Sequence, residues 1–367
     1  MKMLGVKNRC RLYEIPSDIE YIMAKPRMKK YIEYSANVYA IYLKYIAKED
    51  IHVYSIDEAF LDITSYLKVY NMTSLDLAKT IMKDIYITYG ITATCGIGTN
   101  LYLAKIALDM MSKHNASNIG WLNEERYRKL LWHHKPLKDF WQIGDAIEKR
   151  LNKHRLYDMY DVAHCKPEIL YKEFGINAEF LIDHSWGKEI CTIADIKLYK
   201  PNSNSISTNQ VLFEDYSFDK AKIVLKEMVE VKSLNLIEQD LVTDKIQLYI
   251  GYSNNIMKAS VGSGKLINKT NVYSELVKEF LRLYDRIVSR NAPIRRIGIA
   301  FLNIRERKFE QISFFVDYNK LRKERDLENA INIIKNKMGK NLILRGTNLE
   351  EGATAIGRNK MIGGHNA

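Results

Sequence analysis

Cysteine is scarce in this 367-residue chain: Cys10, Cys95, Cys165 and Cys191 are the only four, and they lie far apart. Without a Cys-x-x-Cys pair there is no zinc-finger or dithiol motif, and such thinly spread thiols fit a reducing compartment. The eight histidines never form His-Glu-x-x-His, which excludes that metalloprotease signature. No run approaches the roughly 18–20 uncharged apolar residues of a membrane helix. The opening residues, MKMLGVKNRC, have no apolar core like that of a secretory signal. Short-period repeats and long low-complexity tracts are missing as well.

What is present is the composition of a folded soluble protein, 47% hydrophobic and 27% charged. The length predicts two or three domains. Lys and Arg number 56 against 44 Asp and Glu, an excess of +12 that suits a polyanionic partner such as nucleic acid. No basic amphipathic helix dominates, so a membrane surface is not the expected partner. The expected location is cytoplasmic, associated with the nucleoid.

Apolar periodicity predicts a helix over 27–48, strands over 51–56 and 59–64, an amphipathic helix over 74–88, a strand over 91–98 and a helix over 100–114. Asn100 is a plausible cap for the last of these. The order fits a ferredoxin-like βαββαβ sheet with its opening strand missing. Residues 121–190 read as mostly helical, and a polar linker follows at 200–209. A complete βαββαβ pattern comes next: strand 205–213, helix 219–236, strands 241–252 and 258–264, helix 272–290 and strand 294–304. Residues 319–367 read as a charged tail with late glycines. The fold class is α+β.

The sharpest chemical feature is Tyr54-Ser55-Ile56-Asp57-Glu58-Ala59-Phe60-Leu61-Asp62. Neighbours in a strand point to opposite faces, so a turn is needed for Asp57 and Glu58 to serve one site. Two carboxylates brought out of water demand compensation, and Mg²⁺ held by one or two carboxylates plus substrate phosphates supplies it. Such a pair suits nucleotidyl transfer by two metals. A solvated turn carrying two acids is the other reading of the same residues. Asp62 reads as a structural acid. Lys105 and Lys113, eight residues apart, share one helix face approximately; Lys105 reads as supporting helix–sheet packing. Gly96 and Gly98 lack the third glycine of a dinucleotide fingerprint and read as close-packing positions.

The run YSIDEAFLDIT, followed by GITATCGIGTNLYLAKIALDMMSKH, resembles the palm of the Y-family (UmuC/DinB-like) translesion DNA polymerases of the UV-damage repair type. The resemblance spans roughly residues 1–318. It implies that Asp57 and Glu58 are the catalytic, metal-binding carboxylates, accompanied by Ser55, with Mg²⁺ as cofactor. It implies that Lys113, and Lys2 with it, meet the phosphates of the incoming dNTP. The implied activity is template-directed DNA synthesis past damaged bases within an SOS-type response. The implied divisions are a fingers remnant at 1–26, the palm at 27–119, a helical thumb at 120–199, a little finger at 200–318 and a C-terminal extension at 319–367.

Further resemblances extend the partner set to primer-template DNA, damaged DNA and the sliding clamp. DFWQIGDAIEKRLNKHRLY (139–157) resembles the family's helix-hairpin-helix, in which Gly144 would let backbone N–H groups approach a phosphate. Gln142 stands where the first glycine of that motif is usual. Ser205, Ser207 and Thr208 resemble the strand that positions template phosphates; Arg295 and Arg296, with Arg305 and Arg307, suggest a phosphate-tracking edge. A solvated edge remains the alternative for the arginines. Gln311-Ile312-Ser313-Phe314-Phe315 resembles the clamp-binding peptide, with Gln311, Phe314 and Phe315 as its anchors.

The family opens with a strand bearing Asp-x-x-x-Phe-Tyr-Ala-Ser-Val-Glu, which supplies a third metal-binding acid, and no such segment is found here. The expectation is therefore a truncated chain, or half of a split polymerase, whose two-metal site is one ligand short and whose own activity is open. The competing readings are a non-catalytic remnant that binds damaged DNA and the clamp, and a nucleotide cyclase built on a related palm.

Overall fold

The computed structural model describes residues 2–6, 10–201, 204–308 and 317–366. The chain divides into two compact units, 30–200 and 1–29 with 201–367.

The first unit opens with α1 (Met28–Tyr42), the hairpin strands β1 (Ile51–Val53) and β2 (Ala59–Leu61), α2 (Thr64–Tyr70) and α3 (Ser74–Tyr89). Thr73 caps α3 by accepting from the Asp76 N–H, and Gly90 ends it with φ +66°. The apolar stripe Leu77, Ile81 and Ile85 packs with Ile41, Ile46 and Ile51 into a small core. The hairpin is antiparallel, with Val53 opposite Ala59. Both strands are shorter than expected because the chain turns at once: the Tyr54 and Ser55 N–H groups both donate to the Glu58 carbonyl at 3.0 Å.

Then come β3 (Cys95–Gly98), α4 (Leu101–Ile106), a π-turn (Ala107–Met111) and β4 (Ile119–Leu122), which lies parallel to β3. The sequence pattern showed neither β4 nor α2. Gly96 and Gly98 face the α4 backbone so closely that a Cβ on either would run into Ala104. Glycine is required there, because α4 lies directly on β3.

Six short helices complete the unit: α5 (Glu124–Leu131), α6 (Asp145–Lys153), α7 (Met159–His164), α8 (Pro167–Phe174), α9 (Ala178–Ser185) and α10 (Ile193–Leu198). Their core joins Tyr127, Phe140, Leu151 and Leu170 to Tyr102, Leu103 and Ile106 of α4. The helical core and the β3–α4 layer therefore share side chains.

The second unit holds β5 (Ile206–Tyr216), α11 (Phe218–Glu238), β6 (Leu241–Tyr252), β7 (Ser260–Thr270), α12 (Tyr273–Ile287), β8 (Ile294–Leu302) and β9 (Arg305–Glu306). The antiparallel order is β5-β8-β6-β7, with β9 on β6. Alternation sends Ile246, Leu248, Ile250, Ile297, Ile299 and Phe301 into a core with Val224, Leu225 and Met228 of α11 and Phe280 of α12. The opposite face carries the exposed Ser207, Asn209, Val211 and Phe213 of β5.

Residues 317–366, expected as a charged tail, are folded instead. They form α13 (Tyr318–Met338), α14 (Ala355–Arg358) and the short pair β10 (Met361–Ile362) and β11 (His365–Asn366). The segment docks on α11 through buried acids. Glu227 is 1% exposed and accepts from Asn348 Nδ2, Thr354 N, Thr354 Oγ1 and Ala355 N at 2.8–3.2 Å. Glu230 pairs with Lys335 at 3.0 Å, and Glu328 with Arg345 at 2.9 Å.

Candidate active site

Asp57 and Glu58 sit in the five-residue turn between β1 and β2, so the alternation that would separate them in a strand does not apply. Ser55 Oγ donates to Asp57 Oδ1 at 2.7 Å and fixes that carboxylate. Glu58 Oε2 accepts from Lys105 Nζ at 2.7 Å. Lys105 projects from α4, and its second partner is Asp109 Oδ2 at 3.2 Å. Lys113 in turn reaches Asp109 Oδ1 at 3.0 Å. A single line of alternating charge, Glu58–Lys105–Asp109–Lys113, thus leads from the turn along the helix.

Burial pushes the Lys105 pKa down, but the hydrogen bond it donates to Glu58 and the field of Asp109 outweigh it, leaving it above the usual lysine value. The ammonium is therefore charged throughout the neutral range.

Aromatic rings hold the turn from the other side. Trp141 Nε1 donates to the Tyr54 hydroxyl at 3.0 Å, and the Tyr54 ring lies edge-on to Phe60 and Trp141. Lys105 Nζ is 5.5 Å from the Tyr54 ring centroid. Sequence reasoning missed Lys105 as the partner of Glu58 and missed Trp141 altogether. The aromatic residue three before Asp57 was the available signal.

Beside the turn is a cavity of about 360 Å³, lined by Phe60 and Leu61 of β2, Ile81 and Ile85 of α3, and Cys95 and Ile97 of β3. Burial pushes the Cys95 thiol up to about 11, so it is protonated at neutral pH. Asp62 is structural: its Oδ1 accepts from the Thr64 N–H at the start of α2.

The donor chemistry of the turn fits a hard cation. Two neighbouring carboxylates offer oxygens, and the Glu58 position already holds one cation, the Lys105 ammonium. Among the described residues no group of three or more His, Cys, Asp and Glu side chains is gathered for a metal. The pair thus suits Mg²⁺ completed by substrate phosphates rather than an all-protein cage.

The remaining sequence candidates are spread out. Lys2 lies in a 3₁₀ turn, Lys2–Leu4, of the other unit. Gly144 caps α6 with φ −98°, and a Cβ there would meet nothing within 4 Å, so the position is open to an approaching group. Gln142 is forced to φ +69°. Ser205 and Ser207 are exposed, whereas Thr208 is on the opposite, helix-facing side of β5. Arg296 is exposed and packs beside Gly251. Arg295 pairs with Asp215 at 3.6 Å, and Arg307 with Asp240 at 2.7 Å. Gln311, Phe314 and Phe315 lie outside the described residues.

Residues 1–109 match the impB/mucB/samB family, and residues 203–314 match that family's C-terminal domain. A protein of Bacillus subtilis (strain 168) named as a UV-damage repair protein, UvrX, is 30% identical over 99% of this chain and 85% of its own length. The chain belongs to the Y-family of DNA polymerases. DNA polymerase IV 2 of the same organism is 28% identical over 99% of this chain and 87% of its own. Among solved structures, a Y-family polymerase chimera of Dbh and Dpo4 has a TM-score of 0.56 at 21% identity, covering 76% of this chain and 78% of that one; that likeness supports the α+β fold. By family this Y-family member is a DNA-directed DNA polymerase of the DNA-repair group. No helix among the described residues is long and apolar enough to cross a membrane.

Proposed function

We propose that this Y-family chain copies DNA past damaged bases, with Asp57 and Glu58 as the carboxylates of a Mg²⁺-dependent nucleotidyl-transfer site. The observation that carries the reading is the hairpin turn that presents both acids outside the strand ladder, with a cation already held on Glu58. When bound, the metal ions would polarise the dNTP phosphate and lower the pKa of the primer hydroxyl. The chain's own residues set the geometry. Ser55 holds Asp57, and Lys105 holds Glu58. Lys113 and Lys2 are assigned to the triphosphate.

In this reading 1–26 is a fingers remnant, 27–119 the palm, 120–199 the thumb and 200–318 the little finger. The cavity beside the hairpin is lined by both β2 and β3 of this palm. Gly144, with α6 behind it, takes a backbone phosphate. Ser205, Ser207 and Arg296 meet the template backbone without reading sequence. Thr208 and Arg295 are assigned there too, although one points to the helix layer and the other is paired with Asp215. Gln311, Phe314 and Phe315 are assigned to the sliding clamp, and the setting to the SOS-type response of the cytoplasm and nucleoid.

The comparisons give no support to inactivity of this chain. Primer extension on lesion-bearing template by the full chain is the test. Mg²⁺-dependent synthesis is expected, with a loss of at least about 100-fold in Asp57→Asn, more than the 10–100-fold typical of an outer-shell partner. Synthesis unchanged in Asp57→Asn overturns the assignment. DNA binding without synthesis by the intact chain establishes the non-catalytic reading instead.

A further inference from the structure

The Lys105 side chain is 9% exposed and has three neighbours: Glu58 Oε2 at 2.7 Å, Asp109 Oδ2 at 3.2 Å and the Tyr54 ring at 5.5 Å. Asp109 does not depend on it, since Lys113 holds the other oxygen at 3.0 Å. Glu58 has no other cation within ion-pair distance among the described residues.

We propose that Lys105 is a built-in counter-cation that competes with the divalent metal for Glu58. The proposal rests on the reading of Asp57 and Glu58 as metal ligands. An ammonium 2.7 Å from a carboxylate oxygen occupies a lone pair that a metal ion would use, and two cations on one carboxylate repel each other. Metal entry therefore requires Lys105 to give up Glu58. Stripped of all partners, a buried ammonium is strongly unfavourable. Asp109 removes that penalty, because it lies within reach of Lys105 without main-chain movement. Asp109 sits in the π-helical turn Ala107–Met111, directly after the helix that carries Lys105. Glu58 is thus charge-paired when the site is empty and gives up its oxygen only to a competing cation. Lys105 acts through Glu58 and is a positioning residue.

The test uses Tb³⁺, an oxygen-seeking ion whose luminescence is sensitised by nearby Tyr and Trp rings, here Tyr54 and Trp141. It is titrated into the full chain without nucleotide or DNA. Lys105→Met should lower the half-saturating Tb³⁺ concentration five- to tenfold. Asp109→Asn should raise it at least threefold, because Lys105 is then left with Glu58 alone. Lys79→Met, which removes an equal charge elsewhere on the unit, should leave it unchanged. If Lys105→Met does not fold by circular dichroism, Asp109→Asn decides. Half-saturation within twofold of wild type in the folded variants overturns the proposal, provided Asp57→Asn abolishes the signal. A signal that survives Asp57→Asn overturns the metal-ligand reading itself.

Discussion

Glu227 is the residue whose removal the fold should feel most. It is a carboxylate in the middle of α11, 1% exposed, with four donors from residues 348–355 aimed at it. Glu227→Ala deletes the acceptor of two backbone N–H groups, those of Thr354 and Ala355, in a buried setting. Each orphaned donor costs about 1–3 kcal/mol. The Asn348 amide and the Thr354 hydroxyl can turn toward other partners, and the variant no longer has to desolvate a charge, so the net loss is about 3 kcal/mol. Glu227→Gln keeps the shape and one carbonyl oxygen but sets an amide against Thr354 or Ala355, for a loss of about 1–2 kcal/mol. The loss falls on the docking of 317–366 rather than on the sheet. Limited proteolysis of the full chain reads it directly: cleavage within that segment should accelerate on the order of 100-fold in Glu227→Ala. A change below threefold would refute the view that this buried acid holds the segment in place.

Two further outcomes follow from the geometry. Burial pushes the Glu328 carboxyl up to about 7, against the pull of Arg345, so the folded state keeps its proton while the unfolded chain, near 4.5, has lost it. Folding then binds an extra proton between those values. The contribution of this group to stability is fully present below about pH 4.5 and declines as pH rises toward 7, by an amount on the order of 1–3 kcal/mol. Glu328→Gln should flatten that part of a urea-midpoint profile, and an unchanged slope counts against it. Gln142 at φ +69° carries left-handed strain of about 1–2 kcal/mol, part of which a glycine returns as unfolded-state entropy. Gln142→Gly should therefore stabilise by about 0.5–1 kcal/mol and raise Tm by a few degrees; an equal gain in Gln142→Ala would dismiss the strain argument.

Elements governed by local pattern were readable in advance. The strand over 241–252 matches β6, since its alternation is long enough to show, and α3 follows from the spacing of Leu77, Ile81 and Ile85. β4 was not readable, because its four residues are a strand only through pairing with Cys95–Gly98. The adjacent carboxylates were visible, but the partner of Glu58 was not. Lys105 is 47 residues away, and only the seating of α4 on two glycines brings it near. Glu227 and Glu230, three apart on α11, look in sequence like a solvated stripe. They are buried because a segment more than a hundred residues later covers them.

The contact of α4 with Gly96 and Gly98 has an engineering consequence. Main chain rests on main chain there, so no repacking of side chains can raise, lower or rotate the helix by a fraction of an ångström. Anyone seeking variants with altered ion requirements should leave that seat alone and vary the hairpin tip at Ile56, whose side chain is exposed.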